Sequence, residues 1–207
     1  MAQITSGVRN ILSFPWIYNF VQRFLGADKL RSVYVGRYIC PVNAKKILDI
    51  GCGTSEILSF ISNNAEYVGY DLSERYIASA RAKYGDRGVW HCAPVSEMDA
   101  ANLGTFDLVM ANGIFHHLND TEATHLIDVA SKALKPSGRF VSLDCCFTPG
   151  QSRISRFIVS KDRGQNIRTP ERYAELVRNS FCSVDVNVHH ELLKVPYTHV
   201  ILVATKQ

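Results

Sequence analysis

Lys45-Lys46-Ile47-Leu48-Asp49-Ile50-Gly51-Cys52-Gly53-Thr54-Ser55-Glu56 decides how the rest of the chain is read. Ile47, Leu48 and Ile50 form a short apolar run of strand type, two glycines follow at once, and Ile57, Leu58, Phe60 and Ile61 fall at helical spacing. The pattern predicts strand, tight turn and helix, the helix running from Ser55 to about Asn63. Glycine lacks a Cβ and tolerates positive φ, so a ligand can approach the backbone of such a turn. The unpaired N–H groups of the helix start then face whatever lies over it. Asp71 follows Gly51 by twenty positions, at the end of the next apolar run, Glu66–Asp71. A glycine turn and a carboxylate at that separation suggest a ligand that carries a nucleoside.

Beyond this stretch, strands and helices alternate. Ser73 is placed to cap a helix with Tyr76, Ile77, Ala80 and Tyr84 on one face, and Val89–Cys92 reads as a third strand. Phe106–Ala111 is the fourth strand. Asn119, Asp120 or Thr121 then caps a helix whose inner face is Leu126, Ile127, Ala130 and Leu134, and the breakers Lys135-Pro136-Ser137-Gly138 end it. Phe140–Asp144 is the fifth strand. Thr169-Pro170-Glu171 opens another helix, with Tyr173, Leu176 and Val177 on its buried side. Two strands close the chain, Val184 to about His190 and Tyr197 to Ala204, with no helix between them. The expectation is an α/β fold: a doubly wound, mostly parallel sheet of seven strands with helices on both faces, its last strand antiparallel.

The whole chain, 1–207, reads as a single domain, with no internal repeat and no low-complexity segment. Residues 1–43 are strongly apolar and aromatic and read as one or two helices, broken near Pro15 and near Gly26-Ala27-Asp28, with Asp28 as a cap. A cover over the core and substrate pocket is the favoured reading; a membrane-surface or partner-binding segment is the other. Residues 145–168 read as an irregular insertion near the substrate side.

Composition sets bounds. A net charge of +4 with no long basic run gives no reason to expect nucleic acid. None of the six cysteines forms a C-x-x-C pair and no Cys/His cluster has zinc spacing, so reduced cytosolic thiols and no metal are expected. The N-terminal region lacks a basic start and a small-residue cleavage site, and no apolar run has transmembrane length. A cytoplasmic location is the expectation; composition says nothing of oligomeric state.

Several segments together resemble the class I S-adenosylmethionine-dependent methyltransferases of the small-molecule type. Leu48-Asp49-Ile50-Gly51-Cys52-Gly53-Thr54 matches their first motif and Tyr70-Asp71 their acidic position. Phe106–Asn112 followed by Phe115-His116-His117-Leu118 is similar to their fourth-strand segment, and Leu134–Gly138 to the turn before their fifth strand. The resemblance implies a Rossmann-like fold and S-adenosyl-L-methionine as cofactor, held by Asp49, Gly51, Cys52, Gly53, Asp71, Leu72, Ala93 and Asn112. It implies methyl transfer to a small-molecule acceptor. Two departures stand out: Ser55 occupies the place of a frequent third glycine, and Cys92-Ala93-Pro94 lacks the acidic residue that often contacts adenine.

Two rivals belong to other classes. An NAD-binding oxidoreductase would want a glycine at position 56, where Glu56 would repel a diphosphate. A non-catalytic S-adenosylmethionine-binding protein acting through a partner would carry the same cofactor motifs. His116 and Asp144 are weak candidates for a general base, against the blander reading of a core-packed or solvent-facing histidine. Tyr18, Arg163 and Arg168 are weak candidates for substrate contact. Arg163 and Arg168 belong to a basic group with Arg153, Arg156 and Lys161 that is either a solvated loop or a rim recognising an anionic acceptor.

Overall fold

In the computed structural model, which describes residues 15–40 and 43–206, the apolar run after Lys45 is strand β1 (Lys46–Ile50), buried from Ile47 onward. It lies between β2 (Glu66–Asp71) and β4 (Phe106–Asn112), parallel to both. The sheet has seven strands in the order β3-β2-β1-β4-β5-β7-β6, with β3 (Val89–Cys92), β5 (Leu134–Cys145), β6 (Ser183–His189) and β7 (His199–Thr205). Only β7 runs antiparallel, to β5 on one side and β6 on the other, as the closing strand pair predicts. Strand order reverses between β1 and β4, and the crevice at their carboxyl ends is where open α/β sheets bind ligands.

Alternate side chains of the central strands feed two cores, as the period of two requires. Leu48, Ile50, Val109 and Ala111 pack under helix α5 (Asp120–Ala133) and helix α7 (Pro170–Arg178). Ile47, Leu108 and Met110 pack under α2 (Ala27–Tyr34) and α3 (Glu74–Tyr84). Asn119 caps α5 in a capping box with Glu122, Ser73 caps α3, and Thr169 caps α7 ahead of Pro170. The N-terminal helices α1 (Pro15–Phe24) and α2 break at Gly26, whose φ is 93°, so Gly26 is the cap and Asp28 lies in the first turn. Tyr34 is 1 % exposed, so α2 is part of the core. Asn19 ties α1 to the glycine turn through Thr54 and Glu56, while Trp16, Phe20 and Phe24 are exposed on its other side.

Three expectations are corrected. Ser55–Asn63 is not a helix but one 3-10 turn, Glu56–Ser59. Ser55 enters it at φ 55°, and Arg87 of the loop before β3 takes the carbonyls of Leu58 and Ile61 that a continuing helix would have used. The fifth strand begins at Leu134, so the breaker residues are its first part. The insertion holds two more helix turns than expected: α6 (Arg153–Ser160), capped by Ser152. Its sequence hid it because Ile154 and Phe157 point to solvent while Ser155 and Val159 face inward, Ser155 bonding to Thr198. Another helix, α4 (Ala100–Leu103), is a single turn in the loop before β4. No helix among the described residues is long and apolar enough to cross a membrane.

Candidate active site

The turn after β1 folds back onto the end of β2: Gly51 and Cys52 both donate their N–H to the Tyr70 carbonyl, at 2.7 and 2.9 Å. Gly51 has φ 80° and an added Cβ would sit 2.9 Å from Ile114 Cδ1; Gly53 has φ 55° and open space above it. The Cys52 side chain is buried among the second core, so only its backbone faces the turn. Asp71 accepts from Gly53 N at 2.9 Å and Ser73 N at 2.8 Å, one on each carboxylate oxygen. Each oxygen keeps a second lone pair. Burial raises the Asp71 pKa and the two backbone donors oppose that rise. Leu72 is 52 % exposed beside it, and Ala93 N donates to the Asp71 carbonyl. Glu56 is held in an ion pair with Lys83 at 2.6 Å and accepts from Asn19.

Ser55, the departure from the glycine pattern, is a buried junction. Its Oγ accepts from Trp90 Nε1 at 2.8 Å and donates to Tyr67 Oη at 3.3 Å, and Tyr67 in turn donates its one phenol proton to Asp49 Oδ2 at 2.7 Å. The serine hydroxyl thus links the turn to β2 and β3, a task glycine has no atoms for. Asp49 is 2 % exposed, and its Oδ1 has no partner among the described residues; nor has the buried Oδ1 of half-buried Asn112 across the β1–β4 crevice. Burial pushes the Asp49 carboxyl up to about 7, against the hydrogen bond from Tyr67.

At the ends of β4 and β5 the structure brings His116 and Asp144 together: His116 Nδ1 lies 2.5 Å from Asp144 Oδ1. Nε2 of the same ring lies 3.1 Å from Asp162 Oδ1 of the insertion. The two carboxylates outweigh burial and raise the His116 pKa to about 9, so the ring is an imidazolium at neutral pH and not a free base. His117, whose ring centroid lies 4.0 Å from that of His116 with the rings tilted by 44°, is driven down to about 3 by burial and by His116. Gly164 closes over the His116 ring, where a Cβ would fall 2.1 Å from Cδ2. Asp162 also accepts from Tyr197 Oη at 2.8 Å.

Arg168, a weak candidate for substrate contact, is bonded to the chain itself. Its guanidinium makes five hydrogen bonds, to the carbonyls of Phe115, Asn166 and Leu118 and twice to Asp120 Oδ1. Arg163 reaches the Tyr76 phenol of α3. Tyr18 lies on α1, but its side chain is outside the described residues. Sequence reasoning missed Asp162, Tyr67, Trp90 and Tyr197, which carry no spacing relation to the motifs they serve.

Residues 48–140 match a family described as "Methyltransferase domain". Curated relatives include the 27-O-demethylrifamycin SV methyltransferase of Amycolatopsis mediterranei, 32 % identical over 53 % of this chain and 42 % of the relative. Another is the phosphoethanolamine N-methyltransferase of Triticum aestivum, 27 % identical over 66 % of this chain and 27 % of the relative. The chain thus spans less than half the length of either. Among solved structures, the magnesium protoporphyrin IX methyltransferase from Synechocystis with bound SAH aligns at TM-score 0.68 and 18 % identity, over 91 % of this chain and 88 % of that one. Over residues 48–140 the chain is similar to methyltransferase domains, and its fold is theirs.

The cofactor of this methyltransferase class is S-adenosylmethionine, and the crevice suits it. Asp71 has lone pairs for two ribose hydroxyls, and Gly53 leaves room beside them. Asp49 Oδ1 and Asn112 Oδ1 are buried acceptors that lack a donor among the described residues; the methionine ammonium supplies donors and a positive charge. The Glu56 charge is balanced by Lys83.

Asp49 gives the chain a testable pH signature. Its folded pKa of about 7 lies above the ordinary 3.8, so the folded state binds its proton more tightly and stability without cofactor falls as pH rises between about 4 and 7. Asp49→Asn keeps an acceptor for Tyr67 and removes the buried charge. Its melting temperature relative to wild type should be about 5 °C or more higher at pH 8 than at pH 5, from 1.4 kcal/mol per pKa unit and 2–4 °C per kcal/mol. An equal difference at both pH values, in thermal scans without cofactor, contradicts the buried charge.

Proposed function

We propose that this chain transfers the methyl group of S-adenosylmethionine to a small-molecule acceptor. The observation that carries the reading is the pairing of Asp71, braced by Gly53 and Ser73, with the donor-less buried oxygens of Asp49 and Asn112 across one crevice. The cofactor supplies a methyl group on a positively charged sulfur, a leaving group that is already activated. The chain's share is positioning: it holds the acceptor in line at near-attack distance and excludes water. The segment carrying α1 and α2 supports the second task, since Asn19 joins it to the glycine turn, and the insertion supports it from the side of His116.

An anionic group on the acceptor is the finer reading. Arg153 and Arg156 line a surface groove of about 420 Å³ with Phe147, Phe157 and Ser160. Its arginines offer forked donors to a carboxylate or phosphate, and its rings offer an apolar wall.

Thermal-shift measurements with S-adenosylhomocysteine and with NAD test the cofactor; stabilisation is expected with the first alone, and stabilisation by NAD alone overturns the reading. A mass-spectrometric screen of phenols, sugars, amines and lipid precursors, with and without anionic groups, then tests transfer. Binding without transfer to any of them favours the non-catalytic alternative.

A further inference from the structure

We propose that His116, His117 and Asp162 form a binding site for a divalent cation of the zinc class at the acceptor end of the crevice. One ligand atom from each lies within 4.8 Å of the other two. His116 Nε2 and Asp162 Oδ1 are 3.1 Å apart; two atoms bound tetrahedrally to zinc at 2.0–2.1 Å lie about 3.3 Å from one another. Two imidazoles and one carboxylate are a borderline donor set that suits zinc, and three protein ligands leave a fourth position open.

The surroundings are those of a metal centre. A metal-binding histidine characteristically donates its other ring N–H to a carboxylate. Asp144 Oδ1 sits 2.5 Å from His116 Nδ1, which leaves Nε2 as the lone-pair nitrogen of the neutral ring. Asp162 is oriented in turn by Gly164 N on Oδ1 and by Tyr197 Oη on Oδ2. His117 is 6 % exposed and its Nδ1 has no partner among the described residues. Charge points the same way. Two carboxylates, Asp144 and Asp162, flank the two rings, and a dication balances both charges. The residues come from the turn after β4 and from the insertion, so no short motif records them, and the sequence expectation of no metal followed from local spacing alone.

The cation's role rests on the methyl-transfer reading; its binding does not. The open position would take the hydroxyl of an oxygen acceptor and make it more acidic. The O–H proton leaves to water, the oxygen lone pair forms a bond to the methyl carbon, and the carbon–sulfur bond breaks with its electrons on sulfur. The products are the methyl ether and neutral S-adenosylhomocysteine.

The test uses the full chain, stripped with a chelator and titrated with Zn²⁺ by calorimetry and with Co²⁺ by visible absorption. One equivalent of Zn²⁺ should bind more tightly than about 1 µM, and Co²⁺ should give the intense d–d bands of a low-coordinate site. His117→Gln and Asp162→Asn should each weaken Zn²⁺ binding at least tenfold, with folding checked by circular dichroism. His117→Gln keeps the test valid where loss of Asp162 unfolds the chain. Absence of a one-equivalent site in folded wild type overturns the proposal, and so does an unchanged Zn²⁺ affinity in folded His117→Gln. S-adenosylhomocysteine binding, measured on the same samples, reports separately on the methyl-transfer reading.

Discussion

Asp71→Ala is expected to weaken S-adenosylhomocysteine binding by about tenfold to a hundredfold, because one hydrogen bond to a charged group contributes about 1.5–3 kcal/mol and 1.4 kcal/mol is one decade. The structure places the effect at the upper end. The carboxylate bridges Gly53 N and Ser73 N, so the substitution also releases the glycine turn from the start of α3. Asp71→Asn should fall between: its carbonyl oxygen keeps one backbone donor and its amide nitrogen faces the other. Calorimetric titration of the three proteins separates these outcomes, and an unchanged dissociation constant for the alanine variant removes Asp71 from the site.

Arg168→Ala is expected to lower the melting temperature by about 10 °C. The guanidinium is 9 % exposed and holds the carbonyls of Phe115, Asn166 and Leu118, joining the turn that carries His116 to the insertion that covers it. Its pairing with Asp120 counts for little, since that carboxylate is 59 % exposed. Breaking several charged hydrogen bonds at a buried guanidinium costs about 3–5 kcal/mol, and in a chain of this size each kcal/mol moves the midpoint by about 2–4 °C. Thermal scans by circular dichroism check this. A wild-type midpoint combined with a raised KM for the acceptor would return Arg168 to the substrate rim.

These two residues show where reading a sequence works. Asp71 is legible because strand length and the βα turn fix the distance from a glycine turn to the next strand end, and that distance is recorded in the numbering. Arg168 is not legible. A basic residue among others in an insertion looks the same whether it faces solvent, a substrate or three main-chain carbonyls. Ser55 is intermediate: its place in the glycine pattern is visible, but Trp90 and Tyr67, which give the hydroxyl its purpose, are distant in the chain. The helix expected over Ser55–Asn63 failed for a related reason. Apolar spacing is compatible with helix there, and Arg87, which takes the carbonyls of the shorter turn, is supplied by the fold. In α6 the pattern misled in the opposite direction, because its apolar side chains are exposed and its serine is inside.

The sequence by itself determined the alternation of strands and helices, the antiparallel last strand, and the glycine turn with its acidic partner. All of these are local in the chain: periodicity, breakers and short separations are enough to state them. Tertiary structure alone decided the acceptor end. It set Asp162 against His116, made that imidazole a doubly paired cation, committed Arg168 to the main chain and left Asp49 and Asn112 with oxygens in search of a donor. Those properties depend on burial and on contacts between distant segments, and neither burial nor such a contact exists until the sheet has closed around them.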